Sequence, residues 1–280
     1  MMKVPLVSVV VTTKNEEKNI ARCLASIKAQ THPNLEIIVV DNDSSDRTKE
    51  ISRQFTDSVH NKGPERSAQR NYGMIEIARG EYVTFIDADM VLSPHLVERC
   101  VQSMEQNDFL ALHIPEVIMG DSFWCQVRRF ERGFYDGSVV DGSRFFKKKL
   151  FQEIGGFDES IYAAEDWDID KRIKKMGRIG LLERTADEGA VIFHNESDFR
   201  LGNYLKKKTY YSHSFGRYQD KWGADDPDVK KQFSPYFRFI GVFVEDGKWK
   251  KLLSHPLLAG GMYVLRGLVG FVYLKHCALG

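Results

Sequence analysis

Closely spaced pairs of aspartates are the clearest candidates for chemistry in this chain of 280 residues. Pairs separated by one residue occur five times, so the spacing alone does not identify a site; they are Asp41/Asp43, Asp87/Asp89, Asp166/Asp168, Asp168/Asp170 and Asp226/Asp228. Asp87 and Asp89 stand out because they directly follow the apolar run 82–86. Two carboxylates on one short turn can hold Mg²⁺ or Mn²⁺, which in turn holds phosphate oxygens. A solvated turn that caps the next helix is the alternative interpretation.

Three other polar positions lie at the ends of predicted elements. Asp41 follows an apolar strand and can accept hydrogen bonds from a base or ribose, or form an Asx-turn or helix cap. Asp166 precedes a helix, where a carboxylate is usually a cap, but facing a cation site it can act as general base toward a hydroxyl. His194 ends a short apolar strand and is either structural or a further ligand of a metal held by carboxylates.

Alternating apolar runs and amphipathic helices must position these residues. The runs 6–11, 35–40 and 82–86 predict strands, and the apolar spacing predicts helices over 16–30, 47–55 and 65–78 and one opened by Ser93-Pro94. Strands that are apolar throughout indicate a parallel sheet covered on both faces. The first 110 or so residues therefore predict a doubly wound α/β unit, in which ligands bind at the carboxyl ends of the strands.

The middle of the chain is less regular. The pattern predicts strands over 110–119, 139–146 and 191–194, and a helix over 165–176. No repeat and no linker rich in Pro, Gly or Ser interrupts it. We therefore expect one domain over residues 1–200, with halves of about 1–110 and 110–200, and a helical extension over 201–280.

Composition and motifs exclude several classes of protein. Hydrophobic residues at 42% and charged residues at 28% exclude a disordered chain, and a net charge of +1 argues against nucleic-acid binding. The four cysteines form no C-x-x-C pair, which argues against a zinc or disulfide scaffold, and residues 1–11 lack the features of a signal peptide. A reducing, cytoplasmic compartment is expected. Motifs of dinucleotide-binding enzymes, P-loop proteins, zinc proteases and serine hydrolases are also missing from the sequence.

The C-terminal region differs in charge from the rest. Residues 201–280 carry 13 Lys and Arg against six Asp and Glu. Residues 257–274 are apolar, but Arg266 lies at their centre and would cost about 2.5–3.5 kcal/mol in a membrane span. We expect an amphipathic helix at a membrane surface, with Arg266 opposite the apolar stripe; a core helix packed on the body is the alternative.

Five segments, in this order and spacing, resemble the family 2 glycosyltransferases with the GT-A fold. The segments are VSVVVTTKNEE at 7–17, IIVVDNDSSD at 37–46, ARGEY at 78–82 leading into Asp87-Ala88-Asp89, GGFDE at 155–159, and EDWD at 165–168. The resemblance covers about residues 5–200. It implies a mostly parallel α/β sheet and transfer of a sugar from a nucleotide diphosphate, with inversion at the anomeric carbon.

The resemblance also implies roles for individual residues. Those at the donor are Thr12, Glu16 and Asp41 for base and ribose, and Arg66 and Arg70 for the nucleotide or its diphosphate. Asp87 and Asp89 match the acidic metal-binding motif, with Asp89 the direct ligand of Mn²⁺ or Mg²⁺ and His194 an added ligand. Asp166 matches the catalytic base. Asn42 and Asp43 replace the Asp and Gly common in the family, so we expect shifted contacts to the base. The Q-x-x-R-W motif of processive members, and the spans that follow it in them, are missing from the sequence, so we expect a single transfer per encounter.

The basic, aromatic extension suggests the acceptor. We expect a monotopic enzyme on the cytoplasmic face of the plasma membrane, bound to anionic lipid and acting on a lipid-linked saccharide or other glycan. Transfer to a polyprenyl phosphate is the alternative. A nucleotidyltransferase and a non-catalytic membrane-associated sensor of sugar nucleotides are the other classes left open.

Overall fold

The structure, a computed structural model, describes residues 4–184 and 189–279, without the side chains of 212, 213 and 273–279. Its strands are β1 Val7–Thr13, β2 Leu35–Asp41, β3 Val59–Asn61, β4 Tyr82–Asp87, β5 Met90–Leu92, β6 Phe109–His113, β7 Glu116–Met119, β8 Ser143–Lys147, β9 Arg178–Leu181 and β10 Ile192–Asn195. Its α-helices are α1 Ile20–Lys28, α2 Thr48–Ser52, α3 Arg66–Asn71, α4 Leu96–Gln106, α5 Phe123–Arg132, α6 Lys148–Glu153, α7 Glu165–Lys174, α8 Leu201–Trp222, α9 Pro227–Phe233, α10 Val242–Val244, α11 Trp249–Ser254 and α12 Pro256–Leu279. π-Helical turns follow α3 and α9, at Tyr72–Ile77 and Phe237–Gly241.

The chain divides into two compact units. The first unit is Met1–Glu116, Gly142–Glu159 and Glu165–His194, and the second is Val117–Asp141, Ser160–Ala164 and Asn195–Gly280. The second unit thus includes two segments that precede residue 200, where the sequence predicts the domain boundary.

A seven-stranded sheet forms the centre of the first unit, in the order β3-β2-β1-β4-β8-β6-β9. All its neighbouring pairs are parallel except those of β8, which runs antiparallel to β4 and β6. The predicted strands at 6–11, 35–40 and 82–86 are confirmed as β1, β2 and β4, within a residue or two of their observed ends.

Both faces of this sheet are covered. Val9 and Val11 of β1 belong to a core cluster with α1 and α4, while Val10 belongs to a second cluster with α7 and Phe85. Helix α1 contributes its buried stripe of Ile20, Cys23, Leu24 and Ile27. The uninterrupted apolar runs are therefore explained by burial on two sides.

Several local predictions are wrong for identifiable reasons. The expected strand over 110–119 is two strands, β6 and β7, which belong to different sheets and are separated by Ile114 and Pro115. The strand predicted over 139–146 begins only at Ser143. Helix α4 begins at Leu96, and Ser93 accepts the Val191 backbone N–H at 2.9 Å instead of capping it. The sequence pattern does not predict some elements, because they are too short or too polar to give a clear apolar periodicity. These elements are β3, β5, β9, α5 and α6.

The second unit is helical and has its own apolar core, in which α12 packs on α5 and α8. The prediction that Arg266 lies on the side of the helix opposite the apolar stripe is wrong. Arg266 is 8% exposed, and its Nη1 pairs with Glu131 Oε1 at 2.8 Å. The exposed side chains of α12 over residues 256–272 are instead apolar or Tyr263, with Leu257 75% and Phe271 66% exposed. No helix in the described part of the chain has the length and hydropathy needed to cross a bilayer.

Candidate functional site

The carboxyl ends of β1, β2 and β4 bring polar side chains to one edge of the sheet. Thr12 lies opposite Asp87 and Thr13 opposite Asp41 in the parallel register. The Thr12 hydroxyl donates to Asp87 Oδ1 at 3.1 Å. The edge predicted from the apolar runs is therefore the edge at which Asp87 lies.

Arg70 of α3 joins the acidic turn to the start of α7. Its guanidinium is buried against Phe85, with its carbon 3.8 Å from the ring centroid. One nitrogen, Nη2, is 3.3 Å from Asp87 Oδ1. The other, Nη1, is 3.4 Å from Glu165 Oε1 and 3.5 Å from Asp166 Oδ1. Asp87 and Asp166, which are 79 residues apart in the sequence, therefore share one arginine.

Asp166 lies in the first turn of α7 and remains accessible, with 37% of its side chain exposed. Burial and the negative charge of the adjacent Glu165 raise the pKa of Asp166 to about 6. The positive charges of Arg70 and Arg144 oppose this rise. A carboxylate with such a pKa is suited to accept a proton near neutral pH. Gly142 packs on this side chain so closely that an added Cβ would lie 2.5 Å from Asp166 Cβ.

His194 lies beside Asp89 because β10 pairs with β5 and places His194 opposite Met90. His194 Nε2 is 3.2 Å from Asp89 Oδ2, and Nδ1 is 2.6 Å from Glu116 Oε1. Burial lowers the pKa of His194, but its bonds to Asp89 and Glu116 outweigh that effect and raise the pKa to about 10. In this arrangement both ring nitrogens donate.

Arg144 connects the contacts around Arg70 with those around His194, because it lies near both Asp87 and Glu116. Its Nη2 is 3.4 Å from Glu116 Oε2, and its Nη1 is 4.0 Å from Asp87 Oδ2. Although burial raises the pKa of Asp87, Arg70 and Arg144 hold it well below its usual range. Asp87 is therefore a permanent anion at the centre of the site.

Sequence reasoning missed Arg144, Glu116 and the part played by Glu165. Arg144 is followed by two buried phenylalanines in β8, which Lys147 ends, and Glu116 opens an otherwise apolar strand. An isolated charge in a buried strand is itself a signal, because such a charge needs a partner. Only the tertiary structure shows which partner it has.

The residues expected at the nucleotide base lie in different surroundings, and Asp41 is the most buried of them. Asp41 is fully buried, and it accepts the Ser44 N–H at 2.8 Å and the Ser44 hydroxyl at 2.5 Å. These are local bonds from a carboxylate to a residue three positions along the chain. Asp41 therefore shapes the loop after β2 in this conformation, and its neighbour Asp43 is exposed.

Glu16 and Arg66 flank the acidic centre. Burial and the nearby charges of Asp89 and Asp87 raise the pKa of Glu16, although Asn19 donates to its carboxylate at 2.7 Å. Arg66 Nη2 is 3.3 Å from Glu165 Oε1, and 36% of its side chain is exposed. Arg66 therefore remains accessible to an anionic ligand.

The remaining aspartate pairs are structural. Asp168 pairs with Arg172 at 2.8 Å, and Asp170 Oδ2 is 2.6 Å from His113 Nε2. Asp226 is the N-cap of α9. D-x-D spacing alone therefore does not distinguish Asp87 and Asp89 from aspartates with structural contacts.

Comparison with models of protein families shows which family the chain belongs to. The model described as "Glycosyl transferase family 2" matches residues 8–159. The chain belongs to glycosyltransferase family 2. The Bacillus subtilis (strain 168) uncharacterized glycosyltransferase EpsJ is 34% identical over 98% of this chain and 79% of its own length. GlyG of Streptococcus pneumoniae serotype 4 is 33% identical over 50% of this chain, and the match spans 43% of the length of GlyG.

Solved structures show that this family 2 member has the GT-A fold. The mannosyltransferase PcManGT from Pyrobaculum calidifontis, in complex with GDP-Man and Mn²⁺, has a TM-score of 0.65 and 19% identity, over 99% of this chain and 87% of that one. TarS of S. aureus in complex with UDP has a TM-score of 0.55 and 19% identity, over 83% and 70%. The predicted fold class is confirmed.

The acidic turn has a feature that fits the metal of a family 2 glycosyltransferase. Asp89 Oδ1 is buried and has no hydrogen-bond partner in the described part of the structure. A buried carboxylate oxygen without a partner is costly, and a divalent cation would satisfy it. Among the side chains that the structure describes, no three His, Cys, Asp or Glu already form a metal-binding group. His194 would have to exchange its bond to Asp89 for a bond to the cation.

Proposed function

We propose that this chain transfers a sugar from a nucleotide diphosphate to an acceptor hydroxyl, with inversion at the anomeric carbon. The observation that carries the proposal is the contact of Arg70 with both Asp87 and Asp166. It places the acidic turn expected to hold the donor diphosphate beside the carboxylate expected to activate the acceptor. The GDP-Man with Mn²⁺ and the UDP bound in the two solved relatives support a nucleotide-sugar donor.

Asp89, together with Asp87 and His194, would hold Mn²⁺ or Mg²⁺ at the acidic turn. When bound, the cation supplies electrostatic stabilisation of the departing diphosphate. Arg70 and Arg144 keep Asp87 ionised, as its lowered pKa indicates. Arg66, whose guanidinium is partly exposed, is available to the diphosphate as a further cation.

Asp166 would act as the base. The acceptor oxygen attacks the anomeric carbon as the bond from that carbon to the diphosphate oxygen breaks, and the hydroxyl proton passes to Asp166. A single displacement of this kind requires no enzyme nucleophile and inverts the configuration. The accessible carboxylate and its pKa of about 6 suit this role at neutral pH.

The second unit supports a membrane-bound acceptor. Leu253, Leu257 and Phe271 are 71%, 75% and 66% exposed, and Lys250 is exposed beside them in sequence. Apolar side chains next to lysines favour the surface of an anionic bilayer. We propose a peripheral protein on the cytoplasmic face of the plasma membrane whose acceptor is a lipid-linked saccharide.

A thermal-shift screen tests the donor and the metal together. UDP- and GDP-sugars are added with Mn²⁺ or with EDTA, because a ligand that binds the folded state raises its apparent stability by about 2.7 kcal/mol at 100 times its dissociation constant. We expect at least one sugar nucleotide to raise the melting temperature with Mn²⁺ more than with EDTA. Asp89→Ala removes the Mn²⁺-dependent part, and Asp108→Ala, at an exposed position, retains it. No shift with any donor, or a Mn²⁺-dependent shift in Asp89→Ala equal to wild type, contradicts the proposal.

A further inference from the structure

The second unit contains a cluster of cations that the candidate active site does not use. It consists of Arg128, Lys208, Arg238 and Arg266, and we call it the cationic cluster. Arg128 and Lys208 lie over the ring of Tyr204, at 5.0 Å and 5.2 Å from its centroid. The positive charges of Arg128 and Arg238 act directly on Lys208, and that of Arg266 acts on Arg238. The four side chains therefore share one region within this unit.

The buried acidic partners account for only part of this charge. Glu131 pairs with Arg128 at 3.0 Å and with Arg266 at 2.8 Å, and Glu196 pairs with Arg128 at 3.1 Å. Four cations thus face two carboxylates. The positive charges of Arg128 and Arg266 outweigh burial and lower the pKa of Glu131 to about 2, so this carboxylate is fully ionised. Its single charge also acts on Lys208 and Arg238, but burial still lowers the pKa of both.

The unmatched charges belong to Lys208 and Arg238. Neither forms an ion pair with any residue in the described part of the chain. Burial lowers the pKa of both side chains, and Arg128 and Arg238 reinforce the effect at Lys208, whose pKa falls to about 7. The charged form of both side chains is therefore disfavoured in the folded protein and would be stabilised by a bound anion.

Arg266 provides an independent observation. Its side chain is 9% exposed, and its Nη1 donates to Glu131 and to the Tyr135 hydroxyl. Its Nε is buried and has no hydrogen-bond partner in the structure as described. A buried guanidinium N–H without an acceptor indicates that an acceptor group is missing.

We infer that the cationic cluster binds a phosphate or diphosphate group, with Lys208 and Arg238 supplying the charge and Arg266 Nε an N–H donor. A phosphate group carries nearly two negative charges at neutral pH and three acceptor oxygens, which matches the excess of two cations and the free donor. The exposed apolar side chains of α11 and α12 belong to the same unit. A phosphate carried by a lipid therefore suits this unit, and this identification of the lipid rests on the proposed function.

Calorimetric titration with farnesyl diphosphate and with inorganic pyrophosphate tests the site. EDTA is included so that no metal can hold a diphosphate at the acidic turn of the first unit. We expect wild-type protein to bind, and Lys208→Met and Arg238→Met each to weaken binding about tenfold or more. Lys206→Met, at an exposed position on the same helix as Lys208, serves as the matched control and binds like wild type.

The two ligands distinguish the source of the phosphate group. Tighter binding of farnesyl diphosphate than of pyrophosphate supports a site for a lipid phosphate, and equal binding supports a site for a free anion.

Equal binding by wild type and both variants overturns the site, as does a complete lack of binding by wild type. Misfolding is checked by thermal melting, in which Lys208→Met should melt at or above the wild-type temperature because it removes a half-buried cation that forms no ion pair in the described part of the chain. Nucleotide-sugar binding is measured in the same preparations. Its failure contradicts the proposed function and leaves the phosphate result standing, whereas failure of phosphate binding alone leaves the donor site unaffected.

Discussion

Asp166 owes its chemistry to the residues around it. Glu165 places a second negative charge next to it, and Arg70 bonds to both carboxylates at 3.4 and 3.5 Å. Burial and Glu165 outweigh the arginines, so the pKa rises from 3.8 to about 6. A base with this pKa is ionised at neutral pH and still takes up a proton readily.

The pH dependence of transfer should report this pKa. Asp166 must be ionised to accept the acceptor proton, so the transfer rate should rise with pH, be half-maximal near pH 6 and level off about one pH unit higher. Glu165→Gln removes the neighbouring negative charge and leaves the stabilising effect of Arg70 and Arg144 on ionised Asp166, so the rise should move to lower pH. Steady-state rates from about pH 4.5 to 8 measure both profiles. A rise centred near the ordinary carboxyl pKa in wild type, or no displacement in Glu165→Gln, contradicts this account.

The elements hold Asp166 in place from two directions. One turn after Asp166, Asp170 Oδ1 accepts the Ser143 N–H at 3.1 Å, which ties α7 to the start of β8. His113 of β6 supports Asp170 at 2.6 Å. Gly142, immediately before β8, then fits against Asp166 with no space for a side chain. The base is therefore positioned by backbone as well as by ion pairs.

Gly142→Ala tests this positioning. The new Cβ would lie 2.5 Å from Asp166 Cβ, so the helix start or the loop must move. Because a displacement of about 1 Å can cost a hundredfold in rate, we expect transfer to fall about 10- to 100-fold with nucleotide-sugar affinity unchanged. Gly216→Ala is the control, since nothing lies within 4 Å of its added Cβ. Wild-type kcat in Gly142→Ala would show that the base is not held in this way.

The sequence predicted the elements with strong apolar patterns and missed those without them. Strands β1, β2 and β4 followed from apolar runs, and the position of Asp87 after β4 followed with them. The ion pairs of Arg144 and Glu116 did not, because they join strands β8 and β7 through tertiary contacts that local spacing does not encode. Arg266 was misplaced because helical periodicity cannot tell an exposed charge from a buried one whose partner is Glu131.

For the whole molecule, charge is divided along the chain. Residues 201–280 carry 13 basic and six acidic residues, while the chain as a whole has a net charge of +1. The described acidic centre belongs to the first unit, and the cationic cluster and exposed apolar side chains belong to the second. This division supports the proposal of a soluble donor for one unit and a lipid surface for the other.

Liposome flotation tests the membrane proposal. We expect the protein to float with vesicles of phosphatidylcholine and phosphatidylserine, and less so at high salt, because salt screens the lysines. Leu257→Glu with Phe271→Glu replaces two exposed apolar side chains of α12 and should abolish flotation. Leu181→Glu, at a 41% exposed position of the first unit, should not. Wild-type protein that stays in the bottom fraction contradicts membrane association.

The most direct test of the central claim is single-turnover transfer by Asp166→Asn. Asparagine preserves the size of the side chain, and it should not lower the melting temperature, because the raised pKa means that ionisation of Asp166 disfavours the fold above about pH 6. We predict unchanged nucleotide-sugar affinity and a transfer rate reduced about 10²- to 10⁴-fold, with Asp108→Asn equal to wild type. Transfer by Asp166→Asn at the wild-type rate would contradict the account, since it would place the base elsewhere or indicate an acceptor, such as a phosphate, that needs no base.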